Sequence, residues 1–242
     1  MKERDFRNGC DILTARPSLR PSALMSQHQL KAMASPAFER FRFSFFEDPD
    51  SPRNGLDIKA LAALEGEERS RAEDMLLQYL PDTRAAIGLG ALGSGRAEPA
   101  LVQLFDAEQG SDRSGQIYLA TALWQIRPDP RWLKAVIEVL ASDDEPMHRL
   151  TAAEALYHFR DAASVRALVK SLDDPEGLVR HHAARGLLAL HGLPDDSTDP
   201  QHMMYRVMSG DAERYEGGKR DILAAIAGRP ISARNHSRCQ IW

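Results

Sequence analysis

Cysteine is almost missing from this chain of 242 residues: Cys10 and Cys239 are its only two, near opposite ends. They supply neither a disulfide framework nor a metal-ligand cluster, and they fit a reducing, cytoplasmic setting. Also missing is any run of roughly 18 uninterrupted apolar residues, so no membrane helix is expected. With 43% apolar and 27% charged residues, neither wholesale disorder nor a collagen-like chain is compatible with the composition. The length leaves room for one large domain, two small ones or a short repeat array.

Signatures of catalysis are missing as well. There is no Gly-x-Ser-x-Gly elbow and no Glu/His spacing of a zinc helix. His181 and His182 are adjacent, and neighbours on a helix point about 100° apart, so they cannot chelate one ion together. His148, His158 and His191 fall in other turns. Gly217-Gly218-Lys219 lacks the spacing and the Ser/Thr of a phosphate loop and reads as a helix start. Glu67-Glu68 and Asp143-Asp144 sit at expected helix starts, where carboxylates interact favourably with the helix dipole. No catalytic residue, metal or cofactor is therefore expected.

Basic charge is scarce in the body of the chain. Residues 1–44 carry eight Lys/Arg against four Asp/Glu, whereas residues 45–228 carry 20 against 31. The last fourteen residues add three arginines and no acid. An acidic body repels phosphate backbones, so nucleic acid is disfavoured and a basic protein is the easier partner. Residues 1–35 lack helical periodicity and read as a disordered or peripheral extension, or as sequence ahead of a start at Met25 or Met33. Glu3, Asp5 and Asp11 argue against a transit peptide, and no apolar h-region follows the basic start. Phe41, Phe43 and Phe45 alternate with Arg40, Arg42 and Ser44, which predicts an extended capping segment within 36–56 that lies over the first helix. Residues 229–242 read as a flexible tail.

What the chain does have is internal repetition. Leu89, Leu123, Leu156 and Leu187 recur at intervals of 34, 33 and 31, each followed three residues later by Leu92, Ile126, Phe159 or Leu190. A weaker fifth copy places Leu223 and Ile226 a further 36 on. Each such helix is followed by a second apolar one, carrying Leu101, Leu104 and Phe105, then Val136, Ile137 and Leu140, then Leu168, Val169 and Leu172, and more weakly Met203, Met204 and Val207. Spacings of three and four put these on one helix face. Two earlier helices are expected over 57–65 and 67–80. Ala-Ala pairs at 85/86, 152/153 and 183/184 permit close helix approach, Trp132 suits packing between repeats, and Pro81, Pro128, Pro130, Pro146 and Pro175 suit helix starts.

The stretch Asp173-Asp174-Pro175-Glu176-Gly177-Leu178-Val179-Arg180-His181-His182-Ala183-Ala184 resembles the HEAT-repeat signature, in the short variety shared with phycobilisome-lyase-like repeats. Asp143 matches Asp174 and Arg149 matches Arg180. The resemblance covers roughly 66–228 and implies a ladder in which the acid of one repeat meets the arginine of a neighbour. The arginine position holds Asp82 and Gln116 in the first two copies, so the ladder is expected only in the third and fourth. The fold implied is all-α: a right-handed α-solenoid of about five HEAT-like helix pairs over 57–228. A stack of pairs buries one continuous core and leaves a concave surface lined by the second helices.

With Val179, Ala183, Leu187 and Leu190 toward the core, His181, Arg185 and Leu188 face the opposite way. Leu150, Glu154 and Tyr157 match them one copy earlier, and Ile117, Thr121 and Trp124 before that. Trp124, Tyr157, Leu188, Glu154, Arg185, His181, Thr121 and Leu150 are the expected partner-binding positions, because aromatics on a wet face mark contact surfaces. The function expected is a non-catalytic scaffold or inhibitor gripping a basic protein in its concave face through these residues, for example as a bacterial toxin-immunity protein, and working as a monomer. The same resemblance also implies an alternative, a phycobilisome-lyase-like enzyme or chaperone handling a tetrapyrrole and a client protein. A HEAT-like DNA glycosylase would need a basic face, for which Arg149, Arg180 and Arg185 are too few.

Overall fold

A computed structural model of the protein describes residues 34–48, 55–107, 113–195 and 198–232. Expectations for 1–33 and 233–242, both cysteines included, lie outside the described residues. Every described element is helical: α1 (Pro36–Arg42), α2 (Ile58–Ala62), α3 (Gly66–Gln78), α4 (Thr83–Ala91), α5 (Glu98–Ala107) and α6 (Arg113–Ile126) come first. They are followed by α7 (Pro130–Ser142), α8 (Pro146–Ala155), α9 (Ala162–Ser171), α10 (Gly177–Leu190), α11 (Met203–Arg206) and α12 (Ala212–Ile226). The helices pack consecutively as an α-solenoid.

Local chemistry accounts for where these helices begin. Asp82, Asp129, Asp161 and Asp211 each accept a backbone N–H of the first turn of α4, α7, α9 and α12, at 2.7–2.8 Å. Such caps contribute about 1 kcal/mol each. Pro130 and Pro146 open α7 and α8, where the missing N–H costs nothing. The Asp82 that replaces the ladder arginine is thus spent as a cap.

The first helices α4, α6, α8, α10 and α12 each pack on the next, while α7 packs on both α6 and α8 and α9 packs on α10. The repeat anchors Leu89, Leu123, Leu156 and Leu187 are all buried, as are the alanine pairs. Each buried leucine contributes roughly 1.5–3 kcal/mol. Contact between α4 and α6 is backbone-close: a Cβ on Gly90 would stand 2.6 Å from Ala122 Cα. Trp132 is buried edge-on against Phe105, ring centres 5.1 Å apart, and so joins α7 to α5. The fifth copy is offset by one position, since Ile222 rather than Leu223 is fully buried. Gly217-Gly218-Lys219 lies inside α12, not at its start. Gly218 admits α11, a Cβ there falling 2.8 Å from Arg206 Cβ.

The N-terminal segment corrects the expectation of an extended strand. Residues 36–47 are helical, α1 running on into a π-helical turn at Phe43–Glu47. Ser35 caps α1 and Pro36 opens it. Phe38, Phe41 and Phe45, spaced three and four apart, are buried, whereas Phe43 stands 53% exposed. The helical period therefore prevails over the alternation because it buries three rings on one side. Ser35 also donates its N–H and its hydroxyl to the Glu68 carboxylate, both at 2.6 Å, tying α1 to α3 and holding Glu68 below the usual range. At the other end, residues 229–232, expected in the flexible tail, are tied back: Ser232 N–H donates to Leu190 C=O at 2.7 Å.

Candidate functional site

Of the ladder expected in the third and fourth copies one rung is present, Arg149 with Asp174, and both arginines do more than pair. Arg149 on α8 makes a two-pronged bond to Asp174, Nε and Nη2 at 2.8 and 2.9 Å, while Nη1 donates to the carbonyls of Asp143 and Asp144. Arg180 on α10 likewise donates to the carbonyls of Asp174 and Pro175, at 2.7 and 3.1 Å. Each arginine therefore fastens the turn that precedes its own helix. Reaching forward, Arg180 meets, among the described residues, no carboxylate but the carbonyls of Val207, Met208 and Ser209. An earlier rung also exists that the matching positions did not announce. Arg113, one turn before Gln116, lies 3.7 Å from Asp143. Burial pushes Asp143 up, yet the Glu145 N–H, His148 and Arg113 together hold it below the usual range.

The expected contact row lies on α6, on α8 with the 3-10 turn at Leu156–His158 that follows it, and on α10, which are the first helices of their pairs and not the second helices expected to line the concave surface. The structure brings its members together but does not leave them equally open. Thr121, Tyr157 and Leu188 are buried, at 3%, 5% and 1% exposure, so the expectation that they stand in water does not hold for them. First helices have first-helix neighbours on both flanks, and those neighbours close over this end of the row. Trp124 is half-buried, its ring 5.1 Å from that of Phe159. Leu150, Glu154, His181 and Arg185 remain partly exposed. Glu154 meets His182 at 2.9 Å across the α8–α10 contact. His181 has its Nδ1 3.0 Å from Met204 C=O and its ring 5.1 Å from Tyr205, while Arg185 Nε donates to Asp195 C=O. Desolvation by burial keeps His181 below its ordinary pKa.

Residues 147 and 178, one turn ahead of Leu150 and His181, escaped the pattern reading. Met147 is 57% exposed and Leu178 45%. They hold equivalent places in successive repeats, so continuing the row one turn toward the helix starts would have found them. On the second-helix side lies a groove of about 640 Å³, lined among the described residues by Arg113, Gln116, Glu138, Ser142 and the Asp143–Glu145 turn. Its walls carry both signs of charge. Among the described residues no cluster of His, Cys, Asp or Glu is placed to hold a metal, and no helix is long and apolar enough to cross a membrane.

The family model for HEAT repeats matches residues 107–188, the stretch from the end of α5 to α10 that contains the Arg149–Asp174 rung. This stretch is built of HEAT repeats. No curated protein matches the chain. HEAT repeats commonly serve as protein-interaction scaffolds, and nothing in the HEAT signature itself specifies a partner.

Proposed function

We propose that the chain is a non-catalytic scaffold or inhibitor that binds one protein partner along the outward row of its HEAT repeats. What carries this reading is the in-register display on adjacent helices: Leu150 with His181 and Glu154 with Arg185 present matching, partly open positions on α8 and α10. Trp124 extends the margin onto α6. Thr121, Tyr157 and Leu188 act beneath it, holding the backbone under the contact surface. An acidic body favours a basic partner, which it would also draw in quickly. Neutralising a basic toxin, as an immunity protein does, is the biological role proposed, and a monomer is the form proposed to carry it out.

Association with purified basic proteins, followed by interferometry as salt rises from about 50 to 500 mM, tests the charge argument. Affinity is expected to fall steeply across that range. Association that is indifferent to salt removes the case for a basic partner. Trp124→Ala is expected to weaken binding by about 1 kcal/mol with helicity retained. Loss of the fold in that variant would make Trp124 a packing residue and take it out of the contact margin.

A further inference from the structure

Met147 and Leu178 are large apolar side chains left in solvent at the first turns of α8 and α10, which pack directly on each other. Exposed large hydrophobics at equivalent positions of adjacent repeats form a paired feature, unlike the isolated surface leucine of most proteins. The turns that present them are held rigidly. Arg149 bonds the carbonyls of Asp143 and Asp144 ahead of Met147, and Arg180 bonds those of Asp174 and Pro175 ahead of Leu178. A surface fixed in this way loses little further freedom when something binds to it.

The surroundings of the pair are acidic. The two turns contain Asp143, Asp144, Glu145, Asp173, Asp174 and Glu176, and no lysine or arginine. Three of these acids are used internally: Asp143 by His148 and Arg113, Asp174 by Arg149, and Asp173 by Lys219. Asp144 and Glu145 are exposed, and Glu176 is half-buried where it caps α10 through the Leu178 N–H. Arg149 and Arg180, the cations nearest the pair in sequence, are turned onto Asp174 and onto backbone carbonyls.

We infer that this edge of the solenoid docks a basic amphipathic helix, with Met147 and Leu178 receiving two apolar side chains and Asp144, Glu145 and Glu176 facing flanking Lys or Arg. Packed helices lie about 8–10 Å apart, and residues one heptad apart on a helix are separated by about 10 Å. The occupant is therefore a helix with apolar residues at i and i+7 in a cationic background. The inference rests on the scaffold reading and names the partner's chemistry for it.

The test is selection from a displayed library of helical peptides on the full chain, followed by anisotropy titration of the winning synthetic peptides. Winners are expected to be cationic with an i, i+7 apolar pair. M147S/L178S is expected to weaken them about tenfold or more, and D144K/E145K by a similar factor at low salt. Both pairs lie at the surface, so circular dichroism should match the parent chain. Acidic winners, or winners bound equally well by M147S/L178S, would overturn this inference and leave the scaffold reading standing. A chain that selects no peptide at all overturns both.

Discussion

Arg149 and Arg180 occupy equivalent places in successive repeats, yet they solve the same problem with different partners. Arg149 reaches forward to a carboxylate that is only 7% exposed. Arg180 reaches forward to three carbonyls at 207–209 and lays its guanidinium over Tyr215, 5.2 Å from the ring centre. Both also fasten the turn behind them. What recurs is therefore the guanidinium with its five donors, and the acceptor changes with whatever the following unit supplies. A charged pair is the more brittle arrangement, because removing one member strands the other away from water, whereas carbonyls in a loop can turn to solvent.

Arg149→Ala, which strands Asp174, is expected to cost the most, about 3–4 kcal/mol by urea denaturation. A loss below about 1 kcal/mol would mean that Asp174 finds water and that the contrast with Arg180 is not real.

Acid provides a control for a variant at Arg180, where no carboxylate loses its partner. The His158 Nε2 is enclosed, and burial, helped by nearby Arg160, lowers its pKa to about 4. The unfolded chain takes up this proton near pH 6.5, so stability is complete above that value and declines as pH falls toward 4, by about 3 kcal/mol in all. Wild type and Arg180→Ala, in which no carboxylate loses its partner, should show the same slope over that interval. A divergence would place His158 in the ladder.

Arg180→Ala should cost less, about 2 kcal/mol, and the loss should be local. Limited proteolysis is expected to cut first between residues 191 and 211, with α4–α9 intact; uniform cleavage would contradict a local role. Arg149→Lys, which keeps the charge but not the fork, is expected to lose about 1 kcal/mol. In an Asp174→Asn background this small loss should nearly vanish, a cycle that isolates the paired geometry.

The repeat was legible because Leu89, Leu123, Leu156 and Leu187 mark a period that only stacking can use. The rung was legible because Asp143 matches Asp174 and Arg149 matches Arg180 in successive copies. The openness of the contact row was not, since helical rotation fixes which way Tyr157 and Leu188 point but not what a flanking repeat lays over them. Met147 and Leu178 went unseen for the converse reason: an apolar residue at a helix start looks like core until the turn that presents it is known. The alternation at Phe41, Phe43 and Phe45 competed with the three-and-four spacing of Phe38, Phe41 and Phe45. The Ser35-Pro36 start, which favours a helix, was the clue that could have decided between them.

Because Arg149 and Arg180 both lean toward the C-terminus, the array has a direction. Deleting everything after Leu190 would take from Arg180 its forward acceptors at 207–209 and uncover α10, leaving it only the turn behind. Trimming from the front as far as Asp82 leaves both of these arginines and their acceptors untouched. Wear from the two ends is therefore unequal for these arginines: shortening the rear reaches the acceptors of Arg180, and shortening the front reaches none of theirs.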